Sequence, residues 1–142
     1  MATVDLNVFG LTLSGGLTLT EANSILNTNS LDVVIAGDFM SSGVYNAGTN
    51  TTTFNGSNAQ LATFNTLTSF NNFNVDKSSG VLTLNGTNDP TITNDLTILN
   101  GILEDGGRTL NVMRCCRHHK ASALETPLEK QLGCLLNLNS HY

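Results

Sequence analysis

The sequence predicts an all-β fold in which short strands stack as the coils of a β-solenoid. Segments alternating apolar, polar and apolar recur from Thr49 to Val112, and each closes on a turn. Phe54-Asn55-Gly56 ends one, Leu82-Thr83-Leu84-Asn85-Gly86 the next, and Thr97-Ile98-Leu99-Asn100-Gly101 a third. Strand and turn repeating in this way are the sequence signature of a stacked array. Composition points the same way. Charged residues are 12% of the chain, against a usual share of about 25%, and Asn, Thr, Ser and Gly take their place. Thr, Val, Ile and Phe suit strands, whereas Asn and Gly suit turns that need positive φ.

The elements follow in order. Asp5 to Leu13 alternates, Ser14-Gly15-Gly16 is a turn, and Leu17-Thr18-Leu19-Thr20 alternates again. Leu or Val at every second position can face inward there. Glu21 to Ser30 is ambiguous: Glu21 to Leu26 could form a helical turn, but the Asn-Thr-Asn-Ser run stops a long helix. A loop or a weak strand pair is expected, and the coil register from 21 to 75 is left open. Leu31 to Ile35 reads as a strand, and Asp38 to Asn46 as two short strands around Ser41-Ser42-Gly43. Thr49 to Phe54 alternates and ends on the turn dipeptide Asn55-Gly56. Leu61, Phe64, Leu67 and Phe70 recur every third residue, as on a helix, but the intervening Thr and Asn lower helix propensity and favour strands with a bend. Phe73–Val75, Val81–Leu84, Thr91–Leu99 and Thr109–Val112 complete the series, with Pro90 just ahead of a strand, where its missing N–H does least harm.

The pattern stops near Met113, which divides the chain into a solenoid segment, 1–113, and a non-repeat tail, 114–142. In the tail, Thr126-Pro127-Leu128-Glu129 reads as a helix start, with Thr as N-cap and Pro at the first position. Leu128, Leu132, Leu135 and Leu136 then share one face, so a short C-terminal helix over 127–136 could cover the last coil; the alternative is that the tail is an out-of-frame or fused ending, foreign to the repeat.

Charge and cysteine usage bound the function. The net charge is −5. Residues 1–113 hold nine acids against Lys77 and Arg108, while the tail is slightly basic. An acidic body argues against nucleic acid as a partner. No cysteine precedes Cys115, so the body has no disulfide framework. No stretch approaches the ~20 apolar residues of a membrane helix, and residues 1–10 lack the basic start and apolar run of an export signal.

Three groups of residues bear on a family. They are Gly37-Asp38-Phe39 with Gly43 to Gly48, Thr52 to Ser57 and Gln60; Phe70 to Val75 with Gly80 to Leu84; and Leu96-Thr97-Ile98 with Gly101 to Leu110. Their repeat style resembles that of large bacterial surface adhesins of the autotransporter and filamentous-haemagglutinin types. The resemblance covers roughly residues 31–112, and 6–20 more loosely. It implies a right-handed parallel β-helix stalk at the cell surface, outside the cell, and brings no catalytic residue and no cofactor. It makes this chain a non-enzymatic stalk segment and a piece of a longer protein, whose partners would be host or environmental glycans or proteins met through the full-length chain. Open solenoid ends also favour self-association, since they expose unpaired strand edges.

Candidate sites are few. Cys115, Cys116, His118, His119 and Cys134 form the one metal-like group, but adjacent cysteines do not easily reach one ion and Cys134 is far along the chain. Asp32, Asp38, Asp89, Asp95, Glu104 and Asp105 could serve calcium or a polysaccharide lyase. They match neither a calcium repeat nor carboxylates at a defined separation, so most are expected to be turn residues that accept hydrogen bonds from backbone N–H groups. Threonine pairs such as Thr51/Thr53 and Thr91/Thr93 raise an ice-binding alternative, which would need the pairs to recur in register on one face.

Overall fold

The computed structural model describes residues 2–118. Fifteen strands follow one another with no helix among the described residues: β1 (Ala2–Asp5), β2 (Leu11–Leu13), β3 (Leu17–Leu19), β4 (Ser24–Asn27), β5 (Val33–Ile35), β6 (Phe39–Ser41), β7 (Val44–Asn46), β8 (Thr51–Phe54), β9 (Gln60–Phe64), β10 (Ser69–Phe70), β11 (Asn72–Gly86), β12 (Thr91–Ile92), β13 (Asp95–Glu104), β14 (Asn111–Val112) and β15 (Cys115–His118). Every pairing is parallel and joins a strand to one about a coil away in sequence. The chain is therefore a parallel β-solenoid of about five turns.

Three faces wind around one core. The first stacks β2, β5, β8, the front of β11, the front of β13, and β15. The second stacks β3, β6, β9 and the back halves of β11 and β13. The third carries β1-β4-β7 and β10-β12-β14. Coils 1 to 5 span 2–23, 24–43, 44–68, 69–90 and 91–110.

Period-two alternation sends every second side chain inward, and parallel register stacks these into columns. Leu13, Ile35, Phe54, Val75 and Ile98 form one column of the first face. Leu17, Phe39, Ala62 and Leu84 form one of the second. Phe39, Phe54, Phe64, Phe70 and Phe73 are essentially inaccessible and meet edge-on or tilted in the centre. No single coil could bury such rings, so the core exists only through stacking.

Several expected boundaries shift. Asp5 to Leu13 is two strands, with 6–10 forming a corner at which Val8 and Phe9 face solvent. The alternation changes phase between Val8 and Leu11, where the bend lies. Glu21 to Ser30 contains β4, paired on both sides, so stacking overrides the weak local preference. Phe73–Val75 and Val81–Leu84 belong to one long strand, β11, whose ladder to β13 slips around Asp76. Of the three-residue series, Phe64 and Phe70 are buried while Leu61 and Leu67 are exposed, which is strand geometry. Pairing continues past residue 113, because β15 adds to β13. The 127–136 helix lies outside the described residues.

Asn85-Gly86 illustrates why the turn glycines are needed. Gly86 has φ +106°, and a Cβ there would run into the backbone of Phe64 one coil below. Gly15 has neither constraint. Gly86→Ala should cost at least the ~1–3 kcal/mol of a forbidden dihedral, with Gly15→Ala within about 0.5 kcal/mol of wild type. Urea unfolding followed by far-UV circular dichroism measures both.

Candidate functional site

Polar groups gather at three places: the strand starts, the outer faces, and the interior of the coil 3/coil 4 boundary. At the strand starts, Asp32, Asp38 and Asp89 accept from backbone N–H groups as expected, but the partner is one coil away; Glu104 accepts from the Thr83 hydroxyl instead. Asp32 Oδ1 accepts from the Thr51 N–H at 2.8 Å, Asp38 Oδ1 from Leu61 at 2.9 Å, and Asp89 Oδ1 from Thr109 at 3.0 Å. Each carboxylate extends the backbone ladder past the end of its strand. Asp105 instead accepts locally from Gly107 at 3.0 Å. Asp32→Ala should lower stability by about 1 kcal/mol, the usual worth of one such bond, and the same unfolding assay reads it.

Side-chain ladders run up the outer surface. Asn27 Nδ2 donates to Asp5 and Asn46 Nδ2 to Asn27, both at 2.5 Å. Asn94 Nδ2 donates to Asn72 Oδ1 at 2.7 Å, and Arg114 donates to Asn94 at 3.0 Å. Threonine forms no unbroken column. Along the first face the outward positions are Thr12, Val34, Thr53, Asn74 and Thr97. Thr51 lies between Asp32 and Asn72, and Thr91 between Ser69 and Asn111. The acids do not converge either: among the described residues no three His, Cys, Asp or Glu side chains are placed to hold a metal ion. Of the cysteine–histidine group, the description of Cys115, Cys116 and His118 is confined to the backbone of β15, and His119 and Cys134 lie outside the described residues. Among the described residues no helix is long and apolar enough to cross a membrane.

The third place is the least ordinary, and sequence reasoning missed it. Between coils 3 and 4 the third face loses its ladder, since β7 and β10 are not hydrogen-bonded to each other. The corner ahead of β10, residues 65–68, is two residues longer than the corner ahead of β7. An open cleft of about 250 Å³ lies at this gap, lined by Tyr45, Asn46, Ala47 and Gly48 and by Ser69, Phe70, Asn71 and Thr93. No charged side chain lines it. Behind it the Tyr45 hydroxyl meets Thr52 Oγ1 at 2.7 Å and accepts from Asn50 Nδ2 at 3.1 Å. Burial pushes the Tyr45 phenol above its ordinary value, although both hydrogen bonds oppose the shift.

Opposite the cleft, where the first and second faces meet, the same boundary holds a buried ammonium. Lys77 is 1% exposed. Its Nζ donates to Gly56 O at 2.7 Å, Asn58 O at 2.8 Å and Gln60 Oε1 at 2.6 Å, all in coil 3. Gln60 in turn donates from Nε2 to Ile35 O at 3.2 Å and Gly37 O at 2.6 Å in coil 2, and accepts from the Gly56 N–H. Three coils are thus linked through two side chains. All three ammonium protons are used, yet every acceptor is neutral. The one ion pair among the described residues is Arg108–Asp89, at 4.0 Å. Burial lowers the Lys77 pKa, with Asp38 pulling it partly back.

The sequence carried a signal for this corner. Phe73, Val75 and Lys77 share parity, as do Gln60, Ala62 and Phe64, so alternation places both polar residues inward. The chemistry on view is positioning: donors and acceptors are matched within the protein, and no buried side-chain nitrogen or oxygen among the described residues lacks a partner. Compared with known proteins, the chain matches no family model, no curated protein and no solved structure.

Proposed function

We propose that the chain is a non-enzymatic structural segment of a larger bacterial surface adhesin, a piece of stalk that holds binding regions away from the cell. One observation carries the reading: the polar groups are spent on stacking coil upon coil, through the aspartate caps and asparagine ladders. Such a segment is extensible, because each added coil repeats the same interface. The adhesin assignment itself rests on the repeat resemblance. In a stalk the open solenoid end would be covered by another coil of the same kind, either of a longer chain or of a second copy. Host or environmental glycans or proteins would be met elsewhere on the full-length protein.

A lyase would need acids converging on a groove, and an ice-binding face would need threonines in register. The spread of the aspartates and the mixed columns of the first face favour neither.

The test is made in the organism that encodes the chain. Antiserum raised against residues 31–112 should detect a surface-exposed species much larger than 15.1 kDa, removed by protease treatment of intact cells. A species of 15.1 kDa confined to the cell interior would overturn the proposal.

A further inference from the structure

Asparagine followed by glycine is the pair most prone to spontaneous backbone chemistry, because glycine has no Cβ to crowd its own nitrogen. The chain holds three such pairs, Asn55-Gly56, Asn85-Gly86 and Asn100-Gly101, and all three asparagines face solvent. Sequence alone does not separate them. Reaction needs two groups free at once. The glycine N–H must give up its proton, and the asparagine amide must turn its Cγ onto that nitrogen.

At Asn55 the nitrogen is engaged. The Gly56 N–H donates to Gln60 Oε1 at 3.1 Å, inside the corner that Lys77 closes. At Asn100 the amide is engaged, since Nδ2 donates to Asp76 Oδ1 at 2.7 Å. Asn85 differs. It stands at the end of β11, beyond the last pair that β11 makes with β13, Thr83 with Glu104. On the coil 3 side Phe64 O takes the Thr87 and Asn88 N–H groups, so the Gly86 N–H turns to the side where no strand continues. Neither that N–H nor the Asn85 amide has a hydrogen-bond partner among the described residues. Thr18, Met40, Thr63 and Asn85 form an uncharged outward column of the second face, with Asn85 at its end.

We propose that Asn85-Gly86 is a site of spontaneous modification, where the asparagine converts to aspartate and isoaspartate with water as the only reagent. The Gly86 nitrogen loses its proton to solvent and attacks Asn85 Cγ. The Cγ–Nδ2 bond breaks, and Nδ2 leaves as ammonia. Water then opens the cyclic imide. Attack at Cγ breaks its bond to the Gly86 nitrogen and gives aspartate. Attack at the Asn85 main-chain carbonyl breaks the peptide bond to Gly86 and gives isoaspartate, whose chain runs through Cγ. Either product places a carboxylate on the uncharged column. Isoaspartate also adds a methylene to the main chain, just where β11 makes its last contacts with Phe64. The chemistry needs no partner and is independent of the adhesin reading.

Peptide mapping of the full chain tests it, after incubation at mildly alkaline pH both folded and in urea, with fragmentation that tells isoaspartate from aspartate. Each rate is taken relative to that of the same asparagine in the unfolded chain. Asn85 should react first in the folded protein. Asn55 and Asn100 should each be slowed at least about fivefold more than Asn85, the factor that opening one ordinary hydrogen bond imposes. Asn85→Gln, whose longer side chain closes the ring poorly, should remove the product and keep the fold, because the position is exposed. Folded-state conversion of Asn55 or Asn100 as fast as that of Asn85 would overturn the proposal. So would an Asn85 that stays intact in the folded chain while it reacts in urea.

Discussion

Phe39→Ala should destabilise the protein by about 3–5 kcal/mol, the range for deleting a buried aromatic ring. Phe39 is fully inaccessible. Its ring centroid lies 5.7 Å from that of Tyr45, 6.1 Å from Phe54, 5.9 Å from Phe64 and 5.7 Å from Phe70, so it touches aromatic residues of coils 3 and 4 from coil 2. Offset and edge-on pairs add to the burial itself, by about 0.5–1.5 kcal/mol each. The site is also poorly able to collapse. Above Phe39 in its column is Ala62, already small, and the ladders of β6 to β3 and β9 fix the backbone spacing. A rigid wall leaves the cavity open, which puts the loss toward the upper end. Phe9→Ser is the contrast, since Phe9 is 82% exposed and its loss should be within about 0.5 kcal/mol. Denaturant midpoints at constant slope separate the two.

The Phe39 column was readable from sequence because alternation names the inward residue whatever the coil register. The same rule marks Phe54, Phe64 and Phe73. Bends were harder to place: Leu6 and Leu11 lie at opposite parity, and that change of phase marks the corner at 6–10 without showing how the chain turns there. Coil length was hidden too. Val33 lies 22 residues above its partner Leu11, while Thr52 lies 19 above Val33. Only pairing can reveal such variation. The polar interior was hidden for another reason. Thr52 and Lys77 sit at inward parity, yet a lysine is judged by its charge before its position. What makes Lys77 admissible is the set of oxygens from Gly56, Asn58 and Gln60, about twenty residues away and assembled by stacking alone. The aspartates were legible as backbone caps, but their partners one coil away were not.

Gln60→Leu should be among the most damaging substitutions, at about 3–5 kcal/mol, because it leaves a buried charge short of compensation. The variant removes one of three acceptors of the Lys77 ammonium and strands Gly37 O and the Gly56 N–H, while Ile35 O keeps the Asn55 N–H. Lys77→Met in the same background removes the charge that made the loss severe, so the double variant should be more stable than the two single losses summed. A double-mutant cycle reads this coupling. The same ammonium leaves a signature in pH. Burial lowers its folded pKa below the ordinary 10.5. Between the folded value and 10.5 the unfolded chain binds more protons, so stability rises with pH across that window. Below the folded value both states are protonated and the dependence vanishes. Tyr45 acts in the opposite sense. Its folded pKa lies above the ordinary 10.0, so above that pH the unfolded chain has released a proton that the folded one keeps, and stability falls. Unfolding midpoints measured from pH 8 upward should therefore climb and then turn over above about 10. In Lys77→Met the climb should vanish and the fall remain. A climb that survives in Lys77→Met would assign it to another group and refute the buried, desolvated ammonium.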